Sequence, residues 1–278
     1  MTSSLETYLT VSQKYSSNTI STYSRSLGRF LSFNKVLLND KDDLENAFKI
    51  FTAQSGLSRS SIVLSYFAVT KLLESRGIYV NLNTKRFALP KKKSKTNKFL
   101  TKKQLEELIN NFIGRKSGLT SFRDGTILAI FGYLGLRLSE LANLKMEDIN
   151  LIEQLIIIRS GKGNKYGEVP ILSIVKPYLL DYLNARKNIS NEYLWVTRNG
   201  KRLSRRYIQA MTTRAVKELN SELSTHSLRH TAATIYINSG AQLSTVSTLL
   251  RHSSIRTTAD IYVHQSAESV KKELESVL

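Results

Sequence analysis

The chain has 278 residues, with 41 Lys and Arg against 22 Asp and Glu, a formal net charge of +19. A hydrophobic content of 41% with 13 Tyr and 10 Phe excludes global disorder; no apolar run nears the roughly 20 residues of a membrane span; and the lack of cysteine excludes disulfides and thiolate metal sites. The first ten residues lack a basic and an apolar region of secretory type, so a cytoplasmic protein is expected, with a polyanion, nucleic acid first, as partner rather than a membrane.

Residues 1–88 read as helices only. Leu5, Leu9, Val11 and Tyr15 outline one rough amphipathic stretch, and Ile20, Tyr23, Leu27, Phe30 and Leu31 repeat at three- and four-residue spacing. Asp43 is placed to cap a helix over 44–51, and Ser58 or Ser60 one over 62–73 that stops before Gly77. Four or five short helices make a small bundle. Residues 85–103, KRFALPKKKSKTNKFLTKK, hold nine basic groups, no acid and Pro90, which ends helices on both sides; a linker over 89–100 follows. Residues 1–89 carry 11 basic and 6 acidic groups (+5) and residues 90–278 carry 30 and 16 (+14), so both parts are cationic.

The remainder, 101–278, is mixed. T-K-K-Q from Thr101 to Gln104 is a capping box opening a helix. Helices are predicted over 119–134 and 139–144. The β-branched run at 155–158, a turn-rich 160–165 and a return over 168–172 then predict a hairpin with a basic tip. Further helices are predicted over 175–186, 205–219, 227–239, 243–250 and 266–278.

Taken singly, the polar groups here are unremarkable. Arg137 and Glu140 read as an ordinary helical ion pair, His226 and Arg229 as a surface pair, Lys162 as a turn lysine, His252 as a helix-end histidine and Tyr262 as one tyrosine of thirteen. Zinc on His226 and His230 fails for want of the intervening Glu and a third ligand. In chain order the set says more. Two guanidinium forks can clamp the oxygens of a pentacoordinate phosphate. A tyrosine needs a base and a cationic field before it attacks, and an ammonium on a hairpin tip can protonate a leaving 5′-oxygen. Phosphoryl transfer of that kind needs no cofactor: no metal, and no ATP, because a phosphotyrosine conserves the bond energy.

These blocks resemble the tyrosine recombinases, the phage-integrase family. The resemblance runs over nearly the whole chain and rests on four: RDGTILAIFGYLGLRLSELANLKMEDI (123–149), SGKGNKYGEVPI (160–171), THSLRHTAATIYINSGA (225–241) and LLRHSSIRTTADIYVH (249–264). It implies a mainly α fold with a small β-sheet: an N-terminal helical, SAM-like core-binding domain (1–88) and a mixed α/β catalytic domain (101–278) of the tyrosine recombinase and type IB topoisomerase fold. By position, the resemblance makes Arg137 and Arg229 the phosphate-binding arginines, with Glu140 supporting the first. Lys162 would be the general acid, His226 the base or a phosphate donor, His252 a second donor, and Tyr262 the nucleophile forming a 3′-phosphotyrosyl link. Arg251 departs from the family, which usually has Gly before that histidine, where glycine permits left-handed geometry. The family clamps duplex DNA and assembles as a dimer to tetramer on a core site, with a paralogous recombinase or accessory protein as a further possible partner. The size and layout look most like the Xer recombinases, bacterial or archaeal, which resolve chromosome or plasmid dimers. A mobile-element integrase, a type IB topoisomerase and a non-enzymatic DNA-binding scaffold are the alternatives.

Overall fold

A computed structural model describes residues 2–11, 15–33, 41–79, 89–90, 99–114, 118–159, 166–219 and 223–251. The chain divides into two compact units, Met1–Ser94 and Lys95–Leu278. The described elements are mainly helical with one small sheet, the fold class expected from the sequence. Among the described residues no helix is long and apolar enough to cross a membrane.

In the first unit, α1 (Thr2–Val11), α2 (Ser17–Phe33), α3 (Lys41–Gln54) and α4 (Arg59–Glu74) surround one core. Leu5 and Leu9 of α1 are buried, but Val11 is 71% exposed. At 100° per residue Leu9 falls 40° from Leu5 while Val11 falls 240° away, so Val11 cannot share the stripe. The aromatic residues interlock: Phe30 stacks on Phe48 with centroids 4.2 Å apart and meets Phe51 edge-on at 5.2 Å. Ser58 is the N-cap of α4, its hydroxyl accepting from the Ser61 amide at 3.3 Å. Helix α3 begins at Lys41, so Asp43 lies inside its first turn instead of before it.

In the second unit, Thr101 and Gln104 form the reciprocal box at the head of α5 (Lys102–Gly114): Gln104 Oε1 accepts from the Thr101 amide at 2.9 Å and Thr101 Oγ1 from the Gln104 amide at 3.2 Å. Helix α6 (Leu119–Ala129) packs on α5 and on α8 (Lys176–Ala185). The helix expected over 119–134 changes winding at Ile130, where a fully buried π-helical turn, Ile130–Leu134, packs against α10 (Thr225–Asn238). Helix α7 is short, Leu138–Ala142. Strands β1 (Ile149–Asn150), β2 (Leu155–Ile158) and β3 (Gly167–Pro170) form an antiparallel sheet in that order, with Ile149 opposite Ile156 and Ile156 opposite Val169. Two residues are too few to show period-two alternation, so β1 left no pattern in the sequence. Helices α9 (Arg205–Leu219) and α11 (Leu243–Leu250) complete the described unit. Trp195 holds the C-terminal end of α7: its indole N–H donates to the Leu141 carbonyl at 2.6 Å while the ring stacks on Tyr182.

Candidate active site

The site begins where the π-helical turn ends. Gly135 closes that turn at φ 61, ψ 30, and a Cβ there would stand 2.3 Å from the Leu250 side chain and 3.2 Å from Ala232. Left-handed geometry and close approach both demand glycine. Two residues on, Arg137 is the N-cap of α7 and Glu140 its third residue. The Glu140 carboxylate turns back to accept the Arg137 amide at 2.7 Å and Arg137 Nη1 at 2.8 Å. A carboxylate at a helix N-terminus also meets the favourable end of the dipole. The pair expected from sequence therefore exists as a cap rather than as neighbours along a helix face.

Arg229, 6% exposed, comes from the buried face of α10. Its two terminal nitrogens donate to the carbonyls of Gly135 and Leu250. The neighbouring residue, Arg251, caps α11; its carbonyl accepts Arg137 Nη2 at 2.8 Å, and its own Nη2 donates to Glu140 Oε2. The last carbonyls of a helix have no partner within it, and here two of them, on Leu250 and Arg251, each take one guanidinium. Arg137 and Arg229 are thus brought together by adjacent anchors, the carbonyls of Arg251 and Leu250.

Burial and charge together act on Glu140, Arg229 and His226. Burial alone would raise the Glu140 pKa, but Arg251 and Arg137 override it and hold the carboxyl below 4.5. Burial, then the charge of Arg137, pushes the Arg229 guanidinium down to about 10, still protonated at neutral pH. Three guanidinium groups against one carboxylate leave a net +2, a field fit for a phosphodiester. His226 lies in the first turn of α10, its ring edge-on to His230 at 5.2 Å. Desolvation by the surrounding protein, then the charges of Arg229 and Arg137, lower its pKa from the ordinary imidazole value, which favours the neutral ring.

Arg137, Glu140 and Arg229 are therefore brought together, with His226 within reach of their charge. Lys162, His252 and Tyr262 lie outside the described residues. The sequence reading singled out Arg251 as standing where the family usually has Gly, and the left-handed turn is present at φ 51, ψ 49, but its bridge to Glu140 was missed. It also missed a buried network in which Arg123 donates to Asp124 at 2.8 Å, to the Val196 carbonyl at 2.9 Å and to the Tyr207 hydroxyl at 3.1 Å. On α9, Arg206, Arg214 and Lys217 line an open surface with Gln209, Thr213 and Glu218. Among the described residues no cluster of His, Asp and Glu could hold a metal ion.

A family model described as the phage integrase family matches residues 98–269. The chain belongs to the phage integrase family of tyrosine recombinases. It is 31% identical over 273 residues to the tyrosine recombinase XerA of Thermococcus kodakarensis, covering 97% of this chain and 92% of that one. Against XerC of Bacillus subtilis it is 29% identical, with 95% and 91% covered. The crystal structure of the XerH recombinase bound to a palindromic difH substrate superposes with a TM-score of 0.75 at 23% identity, over 99% of this chain and 84% of that one. The kinship makes the chain an enzyme, a Xer-type tyrosine recombinase acting in site-specific DNA recombination.

Proposed function

We propose that the chain cuts and rejoins duplex DNA at a core site through a 3′-phosphotyrosyl enzyme and a Holliday junction, in the Xer manner that resolves chromosome or plasmid dimers. In this reading the phenolic oxygen of Tyr262 attacks the scissile phosphorus and its proton passes to neutral His226. The bond from phosphorus to the 5′-oxygen breaks, and Lys162 protonates the leaving oxygen. Arg137 and Arg229 hold the non-bridging oxygens, with His252 as a further donor. A 5′-hydroxyl of the partner duplex reverses the step, so no external energy source is consumed.

The observation that carries the reading is the convergence of Arg137 and Arg229 on the end of α11, with Glu140 paired to Arg137. Arg229 is buried and Arg137 half-buried, and together they present guanidinium donors of the kind that the non-bridging oxygens of a phosphate accept. The basic face of α9 supports a duplex partner. Residues 1–88 are the core-binding domain and residues 101–278 the catalytic one, joined by the linker 89–100 and acting in the cytoplasm as a dimer to tetramer on DNA. XerH bound to its substrate shares the fold and supports that assignment.

The test is a nicked duplex, selected by the protein from a random-sequence pool and run on a denaturing gel. Wild type yields a slower, covalent band; Tyr262→Phe binds the same duplex and yields none. An adduct persisting in Tyr262→Phe assigns the nucleophile elsewhere.

A further inference from the structure

We propose that Arg251 is a positioning residue for Arg137, sharing Glu140 with it and receiving its second arm on the Arg251 carbonyl. The inference rests on the reading that Arg137 holds the scissile phosphate.

The backbone supplies the first observation. Arg251 sits at φ 51, ψ 49, a left-handed conformation that glycine adopts freely and an arginine adopts at a cost. A strained residue persists where its surroundings over-determine it, and here they do. Arg251 Nη2 donates to Glu140 Oε2, whose other oxygen accepts Arg137 Nη1 at 2.8 Å. The Arg251 carbonyl accepts Arg137 Nη2 at 2.8 Å. Both terminal nitrogens of Arg137 are thereby fixed, one through the shared carboxylate and one directly.

The side chain has a path made for it. It passes Gly167 of β3, where an added Cβ would stand 2.7 Å from Arg251 Cδ. Its side chain is only 16% exposed, and its Nη1 is buried with no hydrogen-bond partner among the described residues. A lysine cannot reproduce the arrangement, because an ammonium is a point charge without a fork. Remove the guanidinium and Glu140 Oε2 keeps only the Arg137 amide, so the carboxylate that holds Arg137 Nη1 is less firmly oriented, while Arg137 Nη2 keeps the Arg251 carbonyl.

The choice of glycine makes a sharp test, since Arg251→Gly removes the side chain while suiting the backbone. The variant is expected to remain folded, relief of the left-handed strain offsetting part of the lost ion pair, and to bind the selected nicked duplex. Its single-turnover cleavage is expected to fall about 10- to 100-fold, and Arg251→Lys to restore little of it. In an Arg137→Ala background the same change is expected to add no further loss. With a neutral methylphosphonate at the scissile position, the gap between wild type and Arg251→Gly should narrow, because the charge Arg137 supplies is then not needed.

A second readout does not depend on cleavage. The Arg137 Nε–H resonance in arginine-labelled protein should be sharp in wild type and broaden in Arg251→Gly, with that of Arg229 unchanged. Wild-type cleavage by Arg251→Gly, multiplicative losses in the double variant or an undisturbed Arg137 resonance overturns the proposal. Absence of an adduct from wild type itself overturns the phosphotyrosyl reading, and the resonance still decides the role of Arg251.

Discussion

Among the described residues, the N-terminal unit buries Ser26, Thr52 and Ser65 as its polar groups and no charge, whereas the C-terminal unit buries Arg123, Asp124, Glu140, Asp148, Arg186 and Arg229. The first is held by stacked and edge-on phenylalanines in a helical bundle. The second places its charges in a water-poor interior and must answer each. Arg186 donates to the carbonyls of Asn191, Tyr193 and Leu194, Asp148 meets Arg159 at 2.5 Å, and Glu140 lies between two guanidinium groups. Burying ions rarely adds net stability compared with apolar packing, while orphaning one is costly. The contrast marks where the chain buries charge that must be answered and where its core is apolar.

The contrast can be broken first at Glu140. Glu140→Gln leaves Arg137 and Arg251 facing each other without an anion, and is expected to lower stability in denaturant titration by about 3–5 kcal/mol. The acid limb sharpens the point. A carboxyl whose pKa is depressed on folding stabilises fully above its unfolded value near 4.5 and loses that contribution as pH falls through its native value. Wild type should therefore approach the variant in stability below pH 4.5, and a constant gap down to pH 2 would contradict the pairing. Next comes Gly135→Ala, which combines left-handed strain with a methyl group 2.3 Å from the Leu250 side chain. It is expected to cost about 2–4 kcal/mol and to slow cleavage, because the Gly135 carbonyl also anchors Arg229. Least is Phe48→Leu in the apolar bundle, about 1–2 kcal/mol, with the same gap from wild type at pH 3 and pH 7. Acid sensitivity of that gap would mean the two cores are less different than their composition implies.

Much of this was legible in the sequence where the physics is local. The Ser58 cap, the Thr101–Gln104 box and the Ile20–Leu31 stripe each lie within a few residues, and each forms. Glu140 three residues after Arg137 announced a pair, though as a cap and not as a helix-face bridge. Spacing could not announce bonds between residues far apart in the chain. Arg251 reaches Glu140 across 111 positions, and Arg229 reaches Gly135 across 94. The π-helical turn also left no trace, because Ile130–Leu134 is apolar throughout and a buried helix shows no stripe to shift.

The end of α11 has a mechanical consequence. The carbonyls of Leu250 and Arg251 that hold Arg229 and Arg137 belong to the peptide units from which the remaining chain, with Tyr262, departs. One turn of backbone therefore holds two guanidinium groups at once. Any rearrangement of the end of α11 that turns these carbonyls away would release Arg229 and Arg137 together.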